Sequence, residues 1–216
     1  TLEHLVQRLR RDANIKHPVK FRAADAVRLR ELNEILSRAR YVRLSEGEEI
    51  ALEILCVAFA TMSRVAEIAA LGIRDVFADG QVISIRPKTW AKTSKRQIKL
   101  VADTGFIRAA TFLKRRRDNA IRRGASLLFH IDANSLAPIS SSAVTNLLKR
   151  VLKKIGCSKR VTAHSARKGA AVEALLRGLP VVAIQAFGGW KDVGTLEYYL
   201  GDAVRRSIAF VELLKH

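Results

Sequence analysis

The stretch that decides the fold is His164-Ser165-Ala166-Arg167-Lys168-Gly169-Ala170-Ala171, which sets two cationic side chains three residues apart among small residues. On a helix, residues at this spacing share a face, so His164 and Arg167 can grip one phosphate together. Trp190 follows 23 residues after Arg167, and Tyr199 comes nine residues later. Two cations, an indole and a phenol are the groups needed to attack a phosphate with tyrosine and without a metal ion.

The composition indicates a polyanionic partner. Lys and Arg number 39 against 20 Asp and Glu, which gives a net charge of +19 over 216 residues, and 49% of the residues are hydrophobic. That hydrophobic share indicates a folded protein and excludes a basic disordered tail. The charge favours nucleic acid over an anionic membrane surface. A structural role of the ribosomal kind would give the same charge, so charge alone defines only the class of partner.

The sequence shows no signal for a membrane span, for secretion or for a metal. Its apolar stretches are shorter than the roughly 20 residues that a membrane-spanning helix needs, and it has no zinc-type cysteine or histidine spacing. Cys56 lies in an apolar run and Cys157 is isolated, so we expect Cys56 in the core, no disulfide, and a reducing compartment. We expect no cofactor, no metal and no membrane contact.

Helical periodicity dominates the chain around one pair of predicted strands. Residues 81–86 and 97–101 alternate in hydrophobicity, and the basic residues between them predict a hairpin with a long tip. Ser45 is the predicted N-cap of a mostly apolar, central helix that ends near Ala60. The sequence thus predicts a mainly α fold with a small antiparallel β-sheet (α+β). The other predicted helices begin at residue 24 or cover 64–71, 105–124, 140–155, 163–177, 181–187, 193–200 and 204–215.

A further segment, Phe59-Ala-Thr-Met-Ser-Arg64-Val-Ala-Glu67-Ile-Ala69, sets an arginine and a glutamate where one predicted helix ends and the next begins. Considered alone, an arginine at such a position is more often part of a surface ion pair than of a binding site. Together with the run from His164 and with Gly188-Gly189-Trp190 to Tyr199, the segment resembles the conserved boxes of the tyrosine recombinases, the phage integrase family. The resemblance covers roughly residues 22–216 and implies the fold of that family's catalytic domain.

The resemblance implies roles for the cationic residues. Arg64 and Arg167 would bind the scissile phosphate, and His164 would assist proton transfer. Trp190 occupies the position that a histidine holds in most members, and its indole N–H would donate to a phosphate oxygen. Glu67 matches the acidic residue that supports the site from behind.

The resemblance also selects the nucleophile. Adjacent tyrosines on a helix point about 100° apart, so only one of Tyr198 and Tyr199 can face the phosphate. The nine-residue step from Trp190 selects Tyr199.

The family carries a lysine in the hairpin, and its ammonium group would protonate the leaving 5′ oxygen. Lys88 takes this place because it follows the first strand, with Lys92 and then Lys95 as the alternatives. The lysines that do not act as the acid would contact the DNA backbone. Contacts in the major groove would come from the helix that opens at residue 140, through Ser141, Ser142, Thr145, Asn146 and Lys149.

The implied organisation has three parts. Residues 1–20 would be the end of an N-terminal DNA-clamping domain with its linker, and 21–203 the catalytic domain. Residues 204–216 would form a C-terminal helix, docked on a neighbouring protomer or on their own domain. Members work as tetramers on double-stranded DNA, so a homotetramer is expected.

The function implied is site-specific recombination through a 3′-phosphotyrosine, without metal. Two alternatives stay open: a type IB topoisomerase or telomere resolvase, and a catalytically idle DNA-binding protein of the same fold. A binding module has no need for the tyrosine, which favours the enzyme. The expected location is the cytoplasm or nucleoid of a prokaryote or virus-infected cell, or the nucleus of a eukaryote.

Overall fold

A computed structural model describes residues 26–77, 79–85, 97–130, 137–191, 193–194, 196–197 and 200–201. Several predicted features lie outside these residues: the segments 1–20 and 204–216, the tyrosines Tyr198 and Tyr199, and the hairpin lysines Lys88, Lys92 and Lys95.

The described part of the chain is mainly helical with two small antiparallel sheets, which confirms the predicted fold class. A short 3₁₀ turn at Ile73–Asp75 precedes the first sheet. No described helix is long and apolar enough to cross a membrane. The elements are α1 (Leu29–Ala39), α2 (Glu46–Ala60), α3 (Val65–Ala69), β1 (Val82–Ile85), β2 (Gln97–Leu100), β3 (Asp103–Thr104), β4 (Ile107–Arg108), α4 (Ala109–Arg122), α5 (Ser141–Lys154), α6 (Ser165–Leu176) and α7 (Val181–Gly188).

Helix α2 is the centre of the fold, as predicted. It begins with a capping box in which the Ser45 hydroxyl accepts from the Glu48 amide at 3.4 Å and the Glu48 carboxylate accepts from the Ser45 amide at 2.8 Å. The helix is apolar nearly all round because it packs against α3, α4, α5 and α6. Cys56 lies within this core, and burial raises the pKa of its thiol.

A buried ion pair links α2 to α4. The Glu53 carboxylate accepts from Arg116 Nε at 2.6 Å, and the more exposed Arg115 also donates to it. The side chains of Glu53 and Arg116 are 4% and 10% exposed, so their pairing offsets the cost of burying the two charges.

Residues 26–28 are not helical, so the helix predicted from residue 24 begins later, at Leu29. Helix α1 starts after Arg28, whose amide donates to the Glu31 carboxylate at 2.8 Å. Val27, just before it, is fully buried, and its amide donates to the Ser165 carbonyl at 3.0 Å. A Cβ on Gly169 would lie 1.8 Å from the Val27 carbonyl oxygen. The small residues of α6 therefore admit a neighbouring backbone at close range.

The predicted hairpin is present, and a second one was missed. Strands β1 and β2 pair antiparallel, with Val82 opposite Leu100 and Ile85 opposite Gln97. Strands β3 and β4 form a minimal hairpin around a turn with Gly105 at φ 56°. Helix α4 consequently begins at Ala109 and not at residue 105, and the Asp103 carboxylate accepts from the Ala110 amide at 2.8 Å.

A second, smaller apolar cluster lies beside the main core. It joins the turn after α2 to α6, to α7 and to the residues that follow α7. The residues 193–194, 196–197 and 200–201 have helical backbone, in line with the helix predicted for 193–200. The members of this cluster are Met62, Ala170, Ala171, Val172, Ala174, Ile184, Trp190, Leu196 and Leu200.

Candidate active site

The centre of the site is the turn 61–63 that ends α2. The Ser63 amide donates to Ala58 O at 3.0 Å and the Met62 amide donates to Phe59 O at 3.2 Å, which is the Schellman pattern of a helix end. This pattern needs a left-handed residue, and Met62 takes that conformation at φ 50° although glycine is usual there. In this turn the carbonyls of Thr61 and Met62 each accept a hydrogen bond from a cationic side chain, Lys99 for the first and Arg167 for the second.

Arg64 and Glu67 form the second part of the site. Arg64 is the N-cap residue of α3, and its amide donates to Glu67 Oε2 at 2.8 Å. Its guanidinium Nη1 donates to Glu67 Oε1 at 2.7 Å. Glu67 is 9% exposed, whereas the Arg64 side chain is 27% exposed. The carboxylate thus fixes the guanidinium from behind, and part of the arginine still faces solvent.

Arg167 lies on α6, is 2% exposed, and is held on two sides. Its Nη1 donates to the Met62 carbonyl at 2.8 Å. Its Cζ lies 4.0 Å from the ring centroid of Trp190, a cation–π contact. Main chain and indole together set the plane of this guanidinium.

The Gly188-Gly189-Trp190 run explains how the indole reaches Arg167. Gly189 ends α7 in the left-handed conformation at φ 72°, and the Trp190 amide donates back to Gln185 O at 3.1 Å. A Cβ on Gly188 would lie 1.6 Å from the Trp190 ring. Only glycine therefore lets the indole fold back to its 6% exposed position.

His164 is the N-cap residue of α6 and precedes the helix, whereas the sequence predicted it inside one. Its ring stays exposed. Partial burial lowers the pKa of His164, and the charges of Arg167 and Arg64 lower it further. The adjoining backbone is fixed by α5, because the Ala163 amide donates to Thr145 Oγ1 at 3.2 Å.

The structure adds one residue that the sequence-based prediction missed. Lys99 on β2 is 4% exposed, and its Nζ donates to Thr61 O at 2.7 Å. The missed signal is strand alternation: Val101, two residues on, is apolar and buried, so Lys99 points to the same inward side.

The predicted site residues are brought together in part. Arg64, Glu67, His164, Arg167 and Trp190 surround the turn 61–63 and the start of α6. Tyr199 and Lys88 lie outside the described residues, and their roles stay predictions.

The predicted DNA-contacting residues on α5 divide into two groups. Ser142, Asn146 and Lys149 are exposed on one face, as a groove-reading helix requires. Ser141 and Thr145 are half-buried, and the Thr145 hydroxyl donates to Ser141 O at 2.8 Å. Thr145 thus supports the backbone before His164.

Comparison with known proteins agrees with this fold. The phage integrase family matches residues 25–206. The tyrosine recombinase XerD of Staphylococcus saprophyticus subsp. saprophyticus is 24% identical over 173 residues, which are 78% of this chain and 56% of that protein. The chain thus spans little more than half the length of this relative.

Solved structures of similar fold are tyrosine recombinases too. XerH recombinase bound to a palindromic difH substrate matches with a TM-score of 0.67 and 15% identity, over 89% of this chain and 54% of that one. XerA recombinase matches with a TM-score of 0.66 and 23% identity, over 89% and 66%. A lambda integrase dimer bound to a COC′ core site matches with a TM-score of 0.61 and 15% identity, over 86% of this chain and 50% of that one.

The mainly helical fold with small antiparallel sheets is that of tyrosine recombinase catalytic domains. The family match covers most of the sequence. The chain belongs to the phage integrase family.

Proposed function

We propose that this chain carries the catalytic domain of a site-specific DNA recombinase that cleaves and rejoins DNA through a 3′-phosphotyrosine, without metal. The observation that carries the proposal is the pair Arg64 and Arg167, each fixed from behind. Glu67 holds the first at 2.7 Å, and the Met62 carbonyl holds the second at 2.8 Å. Preorganised cations of this kind stabilise the charge that builds on a phosphate in the transition state.

The residues at the helix start would divide the remaining work. The Arg167 guanidinium, set in its plane by Trp190, would bind an oxygen of the scissile phosphate. The lowered pKa of His164 keeps its imidazole neutral at neutral pH, so it can accept a proton from the attacking group. We propose the Trp190 indole as a further donor to the phosphate.

The covalent step is proposed for Tyr199. Its phenolic oxygen attacks the phosphorus, and the bond between phosphorus and tyrosine oxygen forms as the bond to the 5′ oxygen breaks. The phenol proton would pass to His164 as the base, and Lys88 would give a proton to the leaving 5′ oxygen. The 5′ hydroxyl of a partner duplex then attacks the phosphotyrosine, which reverses each transfer and rejoins the strand.

Double-stranded DNA is the proposed partner. The net charge of +19 supplies the sequence-independent attraction, and the face of Ser142, Asn146 and Lys149 is free to enter a groove. XerH and lambda integrase, which share the fold, are known in complex with DNA. Lys92 and Lys95 would contact the DNA backbone.

Finer features follow from the sequence likeness. Within the family we infer a site of the Cre recombinase type, because that protein shares the run from His164 and carries Gly-Gly-Trp where most members have Leu-Gly-His. We further propose that residues 1–20 link to a DNA-clamping domain, and that 204–216 dock on a neighbour in a tetramer. The protein would then act wherever its DNA substrate resides.

A suicide-substrate selection tests the proposal. Nicked duplexes of random sequence are incubated with the protein, and SDS-resistant DNA–protein adducts are recovered. We expect an adduct in wild type, also with a chelator present. It should disappear in Tyr199→Phe and persist in Tyr198→Phe. An adduct that survives Tyr199→Phe, or one that requires Mg²⁺, contradicts the mechanism.

The duplexes recovered from the selection also separate the alternatives. Joining of strands between two duplexes indicates recombination. Relaxation of supercoiled DNA by a monomer indicates a type IB topoisomerase. Tight binding of DNA without any adduct in wild type indicates an idle DNA-binding protein.

A further inference from the structure

Lys99 is placed against the usual rule for strands. Its neighbours on β2, Ile98 and Leu100, are 62% and 75% exposed, while the lysine is 4% exposed. The apolar side chains thus face solvent and the charged one faces inward, opposite the fully buried Ile83. Burying an ammonium group is costly unless it is hydrogen-bonded or paired, so the stability of the fold does not explain a lysine at this position.

The buried ammonium is engaged on two sides. Its Nζ donates to Thr61 O at 2.7 Å and lies 4.9 Å from the ring centroid of Phe187 on α7. The next carbonyl along the chain, that of Met62, is the one that accepts from Arg167. Consecutive carbonyls of the left-handed turn therefore bind one cation from the hairpin and one from α6.

We propose that Lys99 is a positioning residue of this active site, whose ammonium fixes the turn 61–63 and thereby holds Arg64 and Arg167 in place for the scissile phosphate. The inference rests on the proposed function. Lys99 acts through the turn, because its ammonium is buried and already donates to a carbonyl. The left-handed conformation of Met62 costs free energy, so the turn needs stabilising contacts from other elements. The hydrogen bond from Lys99 is one of them.

The charges around Lys99 support this coupling. Arg64 and Glu67 face it from α3 and Arg167 faces it from α6, while α7 contributes the uncharged ring of Phe187. Burial, followed by the charge of Arg167, lowers the pKa of Lys99 to about 8. The lysine is thus largely protonated at neutral pH and loses its charge at mildly alkaline pH.

Single-turnover cleavage of the selected nicked duplex is the first test. Lys99→Met keeps the length of the side chain and removes the ammonium; Lys99→Arg keeps a charge. Lys114→Met removes one positive charge from a 57% exposed position on α4 and is the matched control. We expect Lys99→Met to lower the cleavage rate about 10- to 100-fold, because small displacements of phosphate-binding groups are that costly. Its Kd for DNA should equal that of Lys114→Met.

The pH dependence separates positioning from simple packing. The ratio of the wild-type rate to the Lys99→Arg rate should fall as pH rises through about 8, because only the lysine loses its charge there. Equal cleavage rates for wild type and Lys99→Met, with superimposable pH profiles, would overturn the inference. If Lys99→Met does not fold, Lys99→Arg carries the same comparison.

A titration without DNA keeps this test independent of the proposed function. The side-chain NMR signal of Lys99, assigned by its loss in Lys99→Arg, should titrate near 8 and shift upward in Arg167→Met. An ordinary lysine pKa, insensitive to Arg167, would overturn the coupling. A wild-type protein that forms no adduct contradicts the proposed function, whereas a normal adduct with an indifferent Lys99→Met contradicts only this inference.

Discussion

The guanidinium of Arg167 stacks on the indole of Trp190, with Cζ 4.0 Å from the ring centroid, while its Nη1 donates to Met62 O. Stacking uses the planar, delocalised charge of arginine, and the carbonyl uses its directed donors. Lysine offers a charge without the plane. The pair thus predicts that lysine at position 167 would not reproduce both contacts.

Arg167→Lys should therefore lose activity while the protein stays folded. We expect single-turnover cleavage to fall about 10²- to 10³-fold, the usual effect of losing one transition-state donor. Arg177→Lys, at the end of the same helix, is the control, because that arginine only pairs with Glu173 on the surface at 3.0 Å. Comparable cleavage by the two variants would show that the fork and the stacking are dispensable.

Gly188→Ala should act on the site through Trp190. The new methyl group would meet the ring at 1.6 Å, so the indole must leave its place over Arg167. We expect reduced cleavage together with a red shift of tryptophan fluorescence as the ring becomes solvated. Gly178→Ala is matched to it: that glycine is left-handed at φ 83°, with nothing within 4 Å of the added Cβ. It should lower stability without changing the emission of Trp190, and a fluorescence shift in Gly178→Ala alone would refute the steric explanation.

The protonation of His164 should depend on DNA. Its pKa is lowered by partial burial first and then by Arg167 and Arg64, so the free protein holds a neutral imidazole at pH 7. Because the folded protein binds this proton less readily than the unfolded chain, protonation of His164 lowers the free energy of unfolding. The fold therefore keeps its full stability above the unfolded pKa of about 6.5 and loses part of it as pH falls below that value. A bound phosphate offsets the two arginines, so the pKa should rise on DNA binding.

An NMR titration of the imidazole signals, with and without DNA, measures this shift. The chain has five histidines, and His164→Gln identifies the relevant signal by its loss. Arg167→Met should raise the pKa only part of the way, because burial is the larger cause. A His164 signal that titrates identically with and without DNA would place the phosphate elsewhere.

Glu53→Gln tests the scaffold independently of the chemistry. The substitution removes the buried carboxylate that holds Arg116 at 2.6 Å and leaves this arginine with the longer contact to Glu46 at 4.0 Å, so we expect the free energy of unfolding to fall by about 3 kcal/mol. Glu34→Gln breaks an exposed pair with Arg38 at 2.7 Å and should cost about 0.5 kcal/mol or less. Urea titrations measure both. A loss in Glu53→Gln as small as that in Glu34→Gln would mean that solvent reaches the pair.

Features with local causes were predictable from the sequence. The caps at Ser45 and Ser140 fix the starts of α2 and α5, because each hydroxyl accepts from an amide three residues on. The hairpin of β1 and β2 follows from alternation in the same way. The arginines, the histidine and the tryptophan were identified by the resemblance of their motifs to the phage integrase family, and the fold gathers them around one turn.

Two of the features that were missed depend on contacts between residues far apart in the chain, and the third is a short local hairpin. Val27 lies outside a helix, and its amide donates to the carbonyl of Ser165, far along the chain. The β3–β4 hairpin displaces a helical turn through the Asp103 carboxylate at the start of α4. Strand alternation with the buried Val101 indicates that Lys99 points inward, but the carbonyl that it meets there, Thr61 O, lies 38 residues away in the chain and is not visible in any local pattern.

The contact of Val27 with Ser165 and Gly169 has a mechanical consequence. The chain that enters the domain is fastened to the first turns of the helix that carries Arg167. A displacement of the chain before residue 27 would therefore reach the helix that carries Arg167 through the 3.0 Å hydrogen bond between the Val27 amide and the Ser165 carbonyl, as well as through the packing of Val27 in the core. The position of α6 is thereby linked to that of the chain just before α1.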